Sequence, residues 1–458
     1  MADRHQRRDA ALDAIGFVER DHDAGQRGLG QHGQLLRRES IGRAKWHPAV
    51  QPPVGNCGPA ASDPLVPMPP SSTRDAALRP ADALQGSPAR RVRVLHFVTG
   101  GFSGGATQVA IALVNAARDS DTIEPLLVLR RKRHTDPTRI AELECAGTPV
   151  AVVPGGLTLA TVWALVRLCR QFRPDVLVAH GFSEHLWGRY AGLLARVPQL
   201  VHVEHNTRER YTRWRLAQTR WLARRTARIV GCSEGVRLRL LELGMPAART
   251  IAIPNGIRLE PFADADSIDF MQRLPGIVMV ARYSKQKDHA TLLRAVALLR
   301  ERGLKPEVWL AGGGKALHQK PVERLAAELG LSEQVHLLGV VRDVPQRLMA
   351  QRICVLSTHY EGMPLALIEG MAAGCAVVGS AVPGVREVIR DGEDGHLVPE
   401  GDAAALADVL ERLLRDDAHA QQLGRAARAA AIERYSRELM NQRYEQLFLE
   451  LAGGVDAA

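Results

Sequence analysis

From Arg91 to about residue 430 the chain repeats one theme: a short apolar run, a glycine or polar turn, then a segment with helical spacing. RVRVLHFVTGG leads into TQVAIALVNAA, and PLLVLR, VAVV, DVLVAH, QLVHVEH, ARIVGCS and TIAIPNG follow with helical segments among them. Apolar runs of this length, bounded by turns, read as strands buried on both faces, an environment that a parallel sheet covered by helices provides. Pro254, Asn255, Gly256 and the polar stretch through Asp269 interrupt the alternation. It restarts at GIVMVAR and continues through PEVWLAGGG, QVHLLGV, ICVLSTH, CAVVGSA and GHLVPEG. The expected architecture is α/β: two doubly wound Rossmann-like domains facing each other across a cleft, over residues 90–262 and 263–432. Residues 433–458 read as an amphipathic helix, with Met440, Tyr444, Leu447 and Leu451 near one face, expected to pack back toward the first domain.

Residues 1–89 are rich in Arg, Gln, Gly, Ala and Pro, lack a sustained period and read as a disordered extension. The 458-residue chain has 46% hydrophobic and 24% charged residues, enough for two separate cores. Its net charge of +10 favours phosphate-bearing partners without choosing among nucleotide, lipid and nucleic acid. Six scattered cysteines without CxxC spacing argue against a metal site or a disulfide framework and suit a reducing cytoplasm. The charged start MADRHQRRDA leads into no apolar core of a secretory signal. The uncharged stretch near Cys145 to Val166 is divided by Pro149, Pro154, Gly155 and Gly156. A cytoplasmic protein is expected, and any membrane contact would be peripheral, on the inner face of the cell membrane.

The most specific element is HYEGMPLALIEGMAAGCAVVGSAVPGVREVI. The strand ICVLS places Glu361 in a loop at a strand's carboxyl end, and Glu369 on a helix that begins near Pro364. Through a mostly helical interval the two carboxylates lie on the order of 10 Å apart, comparable with the reach from a hexose across a pyrophosphate to a ribose. Both can accept sugar hydroxyls. Between them the amides of Gly362, Met363 and Leu365 sit at a helix N-terminus, which favours an anion such as a diphosphate. A second element, ARYSKQKD, puts Arg282 and Lys287 after the first strand of the second domain, where two cations can neutralise a leaving diphosphate without a metal ion.

In these motifs the chain resembles the family-four retaining glycosyltransferases of the GT-B fold, also called glycosyl transferases group 1, over residues 91–450. The resemblance implies transfer of a hexose-type sugar from a UDP- or GDP-type nucleotide sugar to a glycan or glycolipid acceptor, as in bacterial surface polysaccharide or lipopolysaccharide assembly. It implies no cofactor and no metal. Glu361 would orient the donor sugar, Glu369 would bind ribose, and Arg282 and Lys287 would contact the diphosphate. Gly362, Met363, Pro364 and Leu365 would belong to the donor site. In TGGFSGGATQ, Gly104 and Gly105 would face the donor phosphates, and His205 in QLVHVEHNTRER would point at the transferred sugar. His202 reads as a packed strand residue. Gly370 stands where the family usually has alanine, a change expected to cost only helix propensity.

After His205, the segment TRERYTRWRLAQTRWLARRTAR spaces Tyr211, Trp214, Ala217 and Trp221 helically among eight arginines. Two readings stand: a peripheral contact with anionic membrane through Trp214, Trp221, Arg213, Arg220 and Arg224, or a helix packing its tryptophans inward with a solvated basic face. No nucleic-acid module accompanies it. Two functional alternatives also stand: a nucleotide-sugar 2-epimerase on a similar scaffold, and a catalytically silent sugar-nucleotide-binding or membrane-scaffold protein.

Overall fold

The computed structural model describes residues 90–456, apart from Ser103, His134, Glu209 and Arg210. The expected disordered extension at 1–89 lies outside the described residues. The first half alternates β1 (Val92–Thr99), α1 (Gly105–Ala117), β2 (Ile123–Arg130), α2 (Pro137–Cys145), β3 (Val150–Val153), α3 (Thr158–Phe172), β4 (Val176–His180), α4 (Phe182–Ala195), β5 (Gln199–Glu204), α5 (Arg213–Ala223), β6 (Arg228–Gly231), α6 (Glu234–Glu242) and β7 (Thr250–Ala252). The second contains β8 (Leu274–Val280), α7 (His289–Glu301), β9 (Val308–Ala311), α8 (Ala316–Glu328), β10 (Val335–Gly339), α9 (Val344–Met349), β11 (Gln351–Leu356), α10 (Leu365–Ala372), β12 (Ala376–Ser380), α11 (Pro383–Val388), β13 (His396–Val398), α12 (Ala403–Arg415), α13 (Asp417–Arg434) and α14 (Arg437–Asp456).

These strands form two parallel sheets, in the orders β3-β2-β1-β4-β5-β6-β7 and β10-β9-β8-β11-β12-β13. In each sheet the order reverses beside the first strand, between β1 and β4 and between β8 and β11. That reversal opens a crevice at the strands' carboxyl ends, because successive connections leave toward opposite edges. The apolar runs are buried on both faces: Val94, Leu95, Val176, Leu177, Ile277 and Val278 are fully enclosed. Short polar side chains start several helices, with Thr212 accepting from the Arg215 amide, Ser233 from Val236 and Asp288 from Thr291.

Two structures tie the halves together. One buried cluster runs from Ile229, Cys232 and Val236 to Ile277, Leu367 and Val385 in the second half. The last helix, α14, leaves the second half and buries Met440, Tyr444, Leu447, Phe448 and Leu451 against Val94, Val109 and Val178 of the first. Its entry is pinned by backbone hydrogen bonds, Ile257 N–H to the Tyr435 carbonyl at 2.9 Å and Arg437 N–H to the Ile257 carbonyl at 2.8 Å.

Gly370 departs from the expectation that its cost is helix propensity alone. A Cβ there would stand 2.6 Å from Cys354 Sγ and 2.9 Å from Cys354 Cβ, so α10 lies on β11 at a distance that only glycine allows. Gly370→Ala is expected to destabilise the protein by about 1–2 kcal/mol, since overpacking a filled core costs roughly 1–3 kcal/mol and helix propensity returns up to about 1. Urea denaturation measures this, and a stabilised variant would show that the α10–β11 contact has room to spare.

Candidate active site

The carboxyl ends of the two sheets enclose a cavity of about 590 Å³. On the first side it is lined by Gly104, Gly105, His180, Glu184, His205 and Asn206, and on the second by Arg282, Gln286, Lys287 and the segment from Glu361 through Ala366. A neighbouring cavity of about 360 Å³ shares Gly104, Gly105 and Leu365 with it and contains Glu369, Arg258 and Arg437. The two glutamates therefore serve adjoining compartments, Glu361 the larger and Glu369 the smaller.

Two helix N-termini meet at this junction. Gly104 is the cap of α1 and Pro364 the cap of α10, and neither has a side chain that accepts from the helix amides. The positive ends of both helix dipoles are thus brought to one place from opposite sides. On α10, however, the Leu365 amide expected to face the anion donates to the Met363 carbonyl at 3.0 Å, and the Leu367 amide donates to the Pro364 carbonyl at 2.9 Å. The halves touch closely here, since a Cβ on Gly362 would stand 2.1 Å from the His205 carbonyl oxygen. The Thr207 hydroxyl donates to the Glu361 carbonyl at 3.1 Å. A further clasp is formed by Glu387 of α11, whose carboxylate accepts from the Glu234 and Gly235 amides at 2.7 and 3.0 Å, capping α6 across the interface.

Glu361 is 5% exposed and fully engaged. Its carboxylate is ion-paired with Lys287, accepts from the Thr358 hydroxyl at 2.9 Å, and accepts from the Gln286 amide at 3.3 Å. Lys287, expected to neutralise the diphosphate together with Arg282, lines the cavity with its charge matched by Glu361, 74 residues away. A buried carboxylate requires such a partner, because desolvation of an unpaired charge costs several kcal/mol or more. Arg282, by contrast, is exposed in the cavity and has no hydrogen-bond or ion-pair partner among the described residues.

Glu369 is partly exposed on α10, and burial of its carboxyl raises it to about 7 against an opposing influence from Arg437. Arg437 is itself held below its ordinary value by burial and by Arg258.

His205 belongs to a chain of three histidines. His96 Nδ1 lies 3.2 Å from His180 Nε2, and His180 Nδ1 lies 3.3 Å from His205 Nε2. Burial pushes His96 down to about 3, His205 to about 4, and His180 well below its usual value, so all three are neutral at physiological pH. A neutral imidazole carries one N–H, so each gap holds one proton and only two arrangements are consistent. In one, His205 Nδ1 is a donor; in the other it is an acceptor. His205 Nδ1 is buried without a partner among the described residues. His180 carried no signal in the sequence because its partners are on β1 and beyond β5.

Among the described residues one group, His185, His202 and Glu204, could hold a metal ion. It lies outside both cavities. The buried Arg189 guanidinium donates to His185 Nδ1 at 2.6 Å, which leaves the proton of neutral His185 on Nε2 and removes that lone pair from coordination.

The basic helix α5 turns its tryptophans outward. Trp214 is 74% and Trp221 46% exposed, while Thr219, Leu222 and Ala223 face the protein. The inward-packing alternative is therefore corrected: α5 already has an inner stripe without them. Arg213 and Arg224 are exposed, Arg220 donates to the Leu243 carbonyl at 2.8 Å, and Tyr211 lies before the helix beside His185 and Glu204.

Two doubly wound halves around a cleft define the GT-B fold. Comparison with known proteins carries this to the family: residues 103–261 match the family described as Glycosyltransferase Family 4, and residues 266–430 match Glycosyl transferases group 1. The chain belongs to the group 1 glycosyltransferases with a family 4 N-terminal half. It is 27% identical over 269 residues to the UDP-Gal:alpha-D-GlcNAc-diphosphoundecaprenol alpha-1,3-galactosyltransferase of Escherichia coli, covering 55% of this chain and 70% of that protein. It is 34% identical over 221 residues to the phosphatidyl-myo-inositol mannosyltransferase of Mycobacterium leprae, covering 47% of this chain and 56% of that protein. The fold is shared with Anabaena HepE, solved in complex with UDP-glucose, at a TM-score of 0.68 and 22% identity, over 80% of this chain and all of that one. These findings do not favour a 2-epimerase or a silent binding protein.

Proposed function

We propose that this glycosyltransferase moves a hexose-type sugar from a nucleoside diphosphate to a hydroxyl of a glycan or lipid-linked acceptor, with retention at the anomeric carbon and without a metal ion. The observation that carries the reading is the meeting of two helix N-termini at the junction of two cavities, one holding Arg282 and Glu361 and the other Glu369. A diphosphate at the junction would place the sugar beside Glu361 and His205 and the ribose beside Glu369. The UDP-sugars and the lipid-linked or lipid substrates named for the relatives support a nucleotide-sugar donor and an acceptor from surface glycan or glycolipid assembly. A peripheral position on the inner face of the cell membrane, through Trp214 and Trp221, is part of the same proposal.

The main chemical demand is charge. As the anomeric carbon becomes cationic, the leaving diphosphate gains negative charge, and Arg282 with the positive ends of the two helices would meet it in a dry cleft. Retention by double displacement would need a free carboxylate nucleophile. The carboxylates lining the larger cavity are Glu361 and Glu184, and both are occupied, Glu361 by Lys287 and Glu184 by Arg130 at 2.7 Å. Same-face attack, with the leaving phosphate taking the acceptor proton, suits this better.

Thermal-shift screening with a panel of nucleoside-diphosphate sugars tests the donor seat, and the absence of a shift with every member would overturn it. Proton NMR of the first product from an α-linked donor is expected to show an α-linkage; a β-product would exclude retention. Turnover is expected to persist in excess chelator. Loss of activity with chelator and its return with a divalent ion would overturn the metal-independent reading.

A further inference from the structure

The outward face of α3, α4 and α5 differs from the rest of the described surface. Among the described residues the three exposed tryptophans, Trp163 at 67%, Trp214 and Trp221, all lie on these helices, together with Leu159 at 85% and Leu194 at 62% exposure. The helices form one continuous layer: α4 packs against both α3 and α5, and Tyr190 of α4 stacks on Trp221 of α5. Leu159, Trp163 and Arg170 recur along one stripe of α3 and, with Leu194, line a groove of about 640 Å³ between α3 and α4.

The charge on this face has one sign. The three helices contain a single acidic side chain, Glu184, and it is buried against Arg130. Arg167, Arg170, Arg213 and Arg220 are exposed on them. α3 and α4 each end on an arginine in the left-handed region, Arg173 at φ 51° and Arg196 at φ 58°, where glycine fits without strain. Cations thus occupy two helix ends despite the backbone cost.

We infer that the α3–α4–α5 face docks on the headgroup region of an anionic bilayer. This rests on the membrane contact proposed above for Trp214 and Trp221, and extends it to a larger surface centred on α3 and α4. Leu159, Trp163 and Leu194 enter the interface, where indole rings and aliphatic side chains replace water contacts with lipid ones, while Arg167, Arg170 and Arg196 meet lipid phosphates. A second copy of the chain fits this face poorly, because a two-fold contact would bring two cationic rims together.

The test is flotation of the full chain with phosphatidylcholine vesicles, with and without phosphatidylglycerol. Binding is expected only to the anionic vesicles and is expected to weaken with salt. Leu159→Ser combined with Trp163→Ser, and separately Arg167→Glu combined with Arg170→Glu, are each expected to weaken it on the order of tenfold or more. All four side chains are exposed, and an unchanged donor-induced thermal shift confirms that each variant is folded. Equal flotation of variants and wild type would overturn the inference, as would a dimer in light scattering that Trp163→Ser dissociates. Failure of the lipid-linked-acceptor reading is separable: it would leave patch-dependent flotation intact while no lipid-linked acceptor is glycosylated.

Discussion

Arg282→Ala is expected to lower kcat by about 10²–10³-fold, with a smaller rise in the donor KM, the scale seen when one preorganised donor to a developing anion is removed. The size follows from its pairing. Lys287 is committed to Glu361, so its charge is largely spent within the protein. Arg282 stands in the same cavity without an ion-pair or hydrogen-bond partner among the described residues. An uncompensated cation gains most when the diphosphate bridging oxygen takes up charge, which happens in the transition state rather than in the bound donor. Arg282→Lys should recover part of the rate, because it keeps the charge while losing the planar fork. Steady-state kinetics with a saturating acceptor measure both, and a wild-type kcat in Arg282→Ala would remove the residue from the diphosphate site.

The second large effect concerns Glu369. Glu369→Ala is expected to weaken nucleotide-donor binding by about 10–100-fold, since hydrogen bonds to a charged group are worth roughly 1.5–3 kcal/mol. Titration calorimetry reads it, and unchanged affinity would exclude Glu369 from the ribose compartment. Its pH behaviour is a sharper signature. Burial raises the carboxyl to about 7 from an ordinary 4.5. Ribose hydroxyls donate best to the ionised form, so donor affinity is expected to rise from about pH 6 to about pH 8, and Glu369→Gln should flatten that rise. Stability runs the other way. Between its unfolded and folded values the folded protein holds a proton that the unfolded chain has lost, so this group's contribution is full below pH 4.5 and disappears as pH rises through 7. Donor-free Glu369→Gln should therefore lose less stability than wild type across that interval.

Much of the fold was legible because buried parallel strands and their covering helices leave an apolar pattern that survives in one dimension. The alternation broken at Pro254 to Gly256 and resumed at GIVMVAR marks the two sheets, and a strand followed by EGMPLALIEG places two carboxylates around a helix start. Periodicity could not orient α5. Trp214 and Trp221 share a helical spacing, but so do the inner positions Thr219, Leu222 and Ala223, and which stripe meets the sheet depends on what packs there. Nor could propensity explain Gly370, whose constraint is the Cys354 side chain on a neighbouring strand.

The amino-acid sequence by itself determined the paired Rossmann-like architecture, the family, and the identity of the residues at the strand ends, because each depends on local pattern and spacing. Tertiary structure decided how those residues are used. It set Lys287 against Glu361, joined His96, His180 and His205 into one chain, and brought Arg437 beside Glu369 by returning α14 across the molecule. Those are contacts between residues far apart in the chain, where burial and charge pairing act through space and leave no mark on local sequence.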